Sequence, residues 1–153
     1  MDKNDDCIEL VIKGIAYLKK ISKIQALFTN EKTTYQILLA KKDQLNIGIV
    51  IVVGDLEAQS IAIILENLEA QRPLTYDLFK SSLEIFGIKL DSVLINKLDD
   101  KGIFHCLLKY SNENKKIEFD GRAIDAINLA IRYNCSIFID AKIFNEISIN
   151  LGS

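Results

Sequence analysis

The chain has 153 residues, 49% of them hydrophobic, and a formal net charge of −2. That is the length of one domain with one sizeable core. The charge excludes the broad basic surface that grips nucleic acid through many phosphate contacts, so any nucleic-acid role must rest on a local site.

The start, "MDKNDDC", is acidic and polar, unlike the basic-then-apolar pattern of a signal peptide. Residues 1–7 are expected to be loose. "CIELVIKGIAYL" reads as a strand, and "KIQALFTNEKTTYQILLAKK" as two strands around a polar "TNEKT" turn. "NIGIVIVV" is a continuous apolar run, expected as a strand buried on both faces. With the leucine before it, the run is still far too short to cross a bilayer, so no membrane role is expected.

Then the period changes. "GDLEAQSIAIILENLEA" places Ala58, Ile61, Ala62, Leu65 and Leu68 on one helical stripe. A second helix is predicted from Thr75 as N-cap, with Leu74 and Phe79 as a hydrophobic staple and Asp77 in the first turn. Gly87 is the expected C′ glycine. Between the two helices stands Pro73, the only proline, which biases Arg72 away from helical φ/ψ.

"IKLDSVLINKL", "GIFHCLLKY" and "KKIEFD" follow as strands separated by "DDKG" and "SNEN" turns. "DGRAIDAINLAIRYN" is a third helix with Asp120 as N-cap, "CSIFID" is a short strand, and a short helix lies near 140–147. Residues 149–153 are expected to be loose. Strands, then helices, then strands again predict one α+β domain over 8–148, a mixed and mostly antiparallel sheet with about three main helices packed on it. Cys7, Cys106 and Cys135 are odd in number, widely spaced and without a CxxC, which predicts reduced thiols and a cytoplasmic protein rather than a zinc or disulfide framework.

Two stretches, "GDLEAQSIAIILENLEAQRPLTYDLFKSSLEIFGIKL" and "IEFDGRAIDAINLAIRYNCSIF", resemble the bifunctional nuclease (BFN) domain family. Members typically show Glu-Ala after a glycine, a helix ending Leu-Glu, Arg-Pro-Leu-Thr-His-Asp-Leu, and later Asp-Ala-Arg followed by Asp-Ala-Ile. Gly54, Glu57, Glu66, Arg72, Pro73, Thr75, Asp77, Asp120, Arg122 and Asp125 hold that pattern. Tyr76 stands at the usual histidine, Gly121 replaces a small residue, and Ala123-Ile124 replaces a Pro/Thr-Ser pair. The resemblance implies an α+β fold, frequent oligomers and nuclease activity on RNA or DNA; the many apolar side chains on short strands and three amphipathic helices leave surface for a partner, which predicts a dimer-based homo-oligomer. The alternative is a non-catalytic oligomeric module that binds an anion or a partner.

A phosphodiesterase uses carboxylates to hold a divalent metal or to act as base, and cations to bind phosphate. The catalytic candidates are Glu57, Asp77, Asp120 and Asp125, with Arg72 and Arg122 for phosphate. The metal is unassigned, with Mg²⁺ or Mn²⁺ as the candidates. Glu57 and Glu66 lie nine residues apart, so they point to opposite sides of one helix. Each residue also has a bland reading. Glu57 complements a helix dipole, Glu66 is a solvated helix-end acid, Asp77 is a first-turn acid and Asp120 a simple cap. Asp125 is expected between Arg122 and Arg132 in an ion-pair ladder, and Arg72 paired with Glu57, Asp120 or Asp125. His105, the sole histidine, reads as a strand residue rather than a catalytic one.

Overall fold

A computed structural model describes residues 6–19 and 34–152. The elements run β1 (Cys7–Lys19), β2 (Thr34–Lys41), β3 (Gln44–Val53), α1 (Asp55–Leu65), α2 (Thr75–Ile85), β4 (Lys89–Leu98), β5 (Phe104–Ser111), β6 (Lys116–Arg122), α3 (Ala123–Tyr133), β7 (Ser136–Asp140), α4 (Ala141–Ile147) and β8 (Ile149–Asn150). Their strands form one sheet in the order β6-β5-β4-β7-β1-β2-β3-β8. β4 and β7 pair in parallel, Val93 with Ile137, and the other described pairs are antiparallel. This is the α+β fold with a mixed, mostly antiparallel sheet that the sequence predicts. The strand expected over 23–28 and its TNEKT turn lie outside the described residues.

The core follows from apolar alternation. Ile37 and Leu39 of β2, Ile49 of β3, Val93 and Ile95 of β4, and Ile139 of β7 are fully buried or nearly so. α3 lies over this face and buries Ala126, Ile127, Asn128, Leu129 and Ala130. α1 buries only Ala58, Ser60 and Ile61, and α2 buries none of its side chains completely. The helices therefore grade from central to peripheral.

Several expectations are corrected. β3 is not buried on both faces: Ile49, Ile51 and Val53 point inward while Val52 is 58% exposed. It pairs with two neighbours, yet among the described residues one face lacks a covering layer. α1 stops at Leu65, because Asn67 takes the left-handed conformation at φ 51°. The amides of Asn67 and Leu68 then bond the Ile64 and Ile63 carbonyls, a Schellman ending. Leu65 and Leu68 are consequently exposed. Gly87, at φ 69°, closes α2 in the same way.

The N-cap of α2 is Leu74 and not Thr75, which removes the proposed Leu74–Phe79 staple. The Leu74 amide donates to the Asp77 carboxylate at 3.0 Å, one half of a capping box. The N-cap of α3 is Arg122, so Asp120 belongs to β6. At the termini, Cys7 already pairs with Asp140, and Ile149–Asn150 pair with β3 where loose ends were expected. His105 is a strand residue as read, with Nε2 2.9 Å from Asp99, which also accepts from two amides of the β4–β5 turn.

Gly48 sits where β3 meets both β2 and the C-terminal segment. A Cβ there would run into the Leu39 carbonyl oxygen and lie 2.6 Å from a Leu151 methyl. Backbone cannot step aside cheaply, so Gly48→Ala is expected to destabilise the fold by about 1–3 kcal/mol. A urea-unfolding midpoint equal to that of the parent would contradict this.

Candidate functional site

The three acids Glu57, Asp77 and Asp125 occupy the same position, the third residue, of α1, α2 and α3 respectively. Each complements the positive end of its helix dipole. What distinguishes them is what else they touch.

Asp125 is the centre of a hydrogen-bonded cluster. Arg122 grips it with a fork, Nε to Oδ2 at 2.6 Å and Nη2 to Oδ1 at 2.9 Å. The Tyr76 hydroxyl donates to Oδ1 at 2.6 Å, joining the start of α2 to the start of α3. Nη1 of Arg122 comes within 4.0 Å of Glu57 Oε1 and reaches the start of α1. Three helix N-termini thus meet around Glu57, Tyr76, Arg122 and Asp125. The position of Tyr76, where the motif usually carries histidine, still supplies a hydrogen-bond donor.

The electrostatics follow from these contacts. Burial acts to raise the Asp125 carboxyl, but the Arg122 and Tyr76 hydrogen bonds outweigh it and hold it below the ordinary carboxylate range. Burial and the Asp125 hydrogen bond push the Tyr76 phenol well above its ordinary value, so it stays protonated and donates. Three of the roughly four lone-pair sites of Asp125 are therefore taken, which makes it an orienting anion and a weak base. Glu57 accepts no hydrogen bond among the described residues, and its carboxylate lies against Gly54, where a Cβ would come within 2.7 Å of it.

Arg132 is not where the ion-pair ladder put it. Its side chain is only 2% exposed, and it bonds Asp77 rather than Asp125, Nε to Oδ1 at 2.8 Å. Nη1 donates to the carbonyl and side chain of Asn128, and Nη2 to the carbonyl and hydroxyl of Ser60. One guanidinium therefore ties α1, α2 and α3 together, and it lies 5.3 Å from the Tyr76 ring as well. Arg132 was a candidate only as an Asp125 partner. Its burial had no sequence signal beyond its place on the α3 face that carries Asn128.

The remaining candidates stand apart. Arg72 is exposed and enters no hydrogen bond or ion pair among the described residues, so its expected structural pairing is absent. Glu66 is the exposed C-cap of α1. Asp120 is exposed on β6 and lines, with Asp125 and Tyr76, an open groove of about 760 Å³ between α2 and the β5–β6 hairpin. Among the described residues no three His, Cys, Asp or Glu side chains group to hold a metal ion. All three cysteines are free, and burial pushes the Cys106 thiol up to about 12.

A pH dependence follows. The folded-state values of Asp77 and Asp125 lie below the ordinary 3.8. Burial opposes this in both, and the arginine hydrogen bonds prevail. A depressed carboxylate contributes stability that is present above its unfolded value and lost as pH falls through the folded one. Tyr76 has the opposite sign, contributing below its unfolded value of about 10 and failing only in stronger alkali. The melting temperature is expected to be level near neutrality and to fall below about pH 4, more shallowly in Asp125→Asn. An Asp125→Asn acid limb as steep as the parent's would contradict the assignment.

The family model for the bifunctional nuclease domain matches residues 37–152. Two curated proteins of Mycobacterium tuberculosis, "Uncharacterized protein MT1877" of strain CDC 1551 / Oshkosh and "Uncharacterized protein Rv1829" of strain ATCC 25618 / H37Rv, are each 28% identical over 94 residues. The similarity covers 61% of this chain and 55% of theirs, so the chain spans about half the length of the curated relatives it matches. No helix among the described residues is long and apolar enough to cross a membrane.

Proposed function

The chain belongs to the bifunctional nuclease domain family, and we propose that it hydrolyses phosphodiester bonds of RNA or DNA where α1, α2 and α3 begin. The observation that carries this reading is the Tyr76–Asp125–Arg122 cluster with Glu57 at its edge. Asp125 fixes the plane of the Arg122 guanidinium through two of its nitrogens. The third, Nη1, has no hydrogen-bond partner among the described residues and lies on an exposed side chain. A phosphate oxygen is the ligand that fits such a nitrogen beside a helix N-terminus.

Within the Tyr76–Asp125–Arg122 cluster Glu57 is the carboxylate with lone pairs to spare, and it takes the role of general base. It accepts the proton of a water that attacks phosphorus while the bond to the leaving oxygen breaks. Tyr76 is a poor donor to that oxygen, since a tyrosinate beside the Asp125 carboxylate is strongly disfavoured. The leaving oxygen takes its proton from solvent. Arg72, exposed on the same α1–α2 link, is suited to a second phosphate contact.

Mg²⁺ or Mn²⁺ would need several free carboxylate oxygens around one point. The described residues do not fit that demand, since Arg122, itself a cation, occupies the gap between Glu57 and Asp125. No step is therefore routed through a metal.

One observation favours a second reading, a non-catalytic module that binds an anion or a partner. Glu57, Asp77 and Asp125 all sit at the third position of a helix, where complementing the helix dipole alone accounts for them. Cleavage of end-labelled RNA and single-stranded DNA by highly purified protein, with and without Mg²⁺ or Mn²⁺, separates the two. Cleavage that co-elutes with the protein supports the nuclease, and inert substrates under every condition leave the binding module.

A further inference from the structure

The groove between α2 and the β5–β6 hairpin is a feature that the hydrolytic cluster leaves unused. Its volume of about 760 Å³ lies within the roughly 300–1,000 Å³ of ligand sites. Two rings stand on its walls, Phe79 on α2 and Phe119 on β6, 47 and 54% exposed. Tyr110 lies edge-on to Phe119, with the centroids 5.8 Å apart and the planes at 75°. Tyr110 is itself only 7% exposed, so the buried ring holds the exposed one in place. Exposed aromatic faces held in this way are what a flat ligand stacks on.

The margin of the groove is polar. Asp120 lines it and enters no hydrogen bond or ion pair among the described residues, so its carboxylate is free to accept. Asn112 spends its side-chain oxygen on the amides of Asn114 and Lys115, and its NH₂ group is left to donate. An acceptor and a donor beside aromatic walls match the edge and face of a nucleobase. A lipid chain has no edge to satisfy them.

The groove also meets the phosphate site through one side chain. Asp125 Oδ1 accepts from the Tyr76 hydroxyl on the groove side and from Arg122, whose Nη1 is the phosphate donor. Charge then sets the direction of a nucleotide. Asp120 and Asp125 repel phosphate from the groove and leave it to the neutral base. Lys115, which lines the groove just before β6, enters no ion pair among the described residues. It stands about 20 Å from Arg122 at the rise of an extended strand, with room for a few nucleotides between the two cations. A duplex keeps its bases stacked inside, whereas a single strand can splay them outward. We propose that the groove is a nucleobase subsite, in which unstacked bases of a single strand lie against Phe79 and Phe119 while Arg122 holds the phosphate. The inference rests on the hydrolytic reading for the place of the phosphate, but base stacking is measured without cleavage.

The test is the binding of a short labelled single-stranded DNA, read by fluorescence anisotropy, against the same strand with abasic sites in place of its bases. The two strands carry the same phosphates. The parent is expected to bind the abasic strand roughly tenfold or more weakly, the scale of stacking on aromatic side chains. Phe79→Ala and Phe119→Ala should each lose roughly tenfold on the base-bearing strand and nothing on the abasic one. Leucine at either position keeps apolar bulk without a ring face and should recover little. Both side chains are about half exposed, and equal melting temperatures confirm that the variants fold. Gels of the same samples record cleavage separately. Base-dependent binding without cleavage keeps the subsite and ends the nuclease reading. Equal binding of both strands by the parent overturns the subsite, and cleavage in that case leaves the nuclease reading standing. Ring variants that bind like the parent, full recovery by leucine, or no binding of either strand also overturn it and leave the groove to an apolar partner.

Discussion

Arg132→Met is expected to lower the free energy of unfolding by about 2–4 kcal/mol, chiefly from buried acceptors left without a donor, since the Asp77 side chain is 35% exposed and keeps some solvent. The guanidinium is almost wholly enclosed and donates to Asp77, Asn128 and Ser60, residues on three different helices. Removing it leaves the Asn128 side chain, which is 0% exposed, and the Ser60 carbonyl and hydroxyl short of a donor. It also leaves the depressed Asp77 carboxylate without its counter-charge. Arg132→Lys keeps the charge but not the fork, and should recover only part of the loss. Arg122→Met is the control. That arginine caps the same helix but is exposed, and its change should cost about 1 kcal/mol or less. Urea midpoints at constant slope read both, and equal midpoints for the two variants would remove Arg132 from its structural role.

The contrast between these arginines shows what was legible in the sequence. Periodicity located the helices and most strands, since period 3.6 and period 2 are local properties. Gly87 was readable because a left-handed residue after an apolar stripe closes a helix by local geometry. The end of α1 at Asn67 was open to the same reasoning, but the apolar Leu65 and Leu68 extended the stripe beyond it. Caps shifted by one residue at Leu74, because the capping acceptor is Asp77 acting backwards on an amide rather than Thr75 acting forwards. On α3 the cap moved from Asp120 to Arg122. The motif acids were visible, and so was the position of Tyr76. Their partners were not, because pairing across helices depends on crossing geometry. Helical spacing placed Arg132 with Asp125, three-dimensional packing turned it to Asp77, and Asp125 was left to Arg122 and Tyr76.

The second large effect concerns chemistry. Glu57→Gln preserves size and removes the negative charge together with the ability to take a proton. Cleavage should fall by ~10²-fold or more, the scale for losing a positioned base. Arg122→Lys keeps the charge and loses the planar fork, so substrate binding should weaken at constant net charge. Asp125→Asn should act through Arg122, since the amide no longer matches the two donors of the fork. None of the three removes core packing, because Glu57 and Asp125 are only part-buried and Arg122 is exposed.

The most direct measurement is single-turnover cleavage of labelled single-stranded RNA and DNA by the parent and by Glu57→Gln, purified identically and melting at the same temperature. The account predicts cleavage by the parent and a loss of about 10²-fold in the variant. Cleavage by Glu57→Gln at the parent rate, or no cleavage by the parent on either substrate, would contradict it.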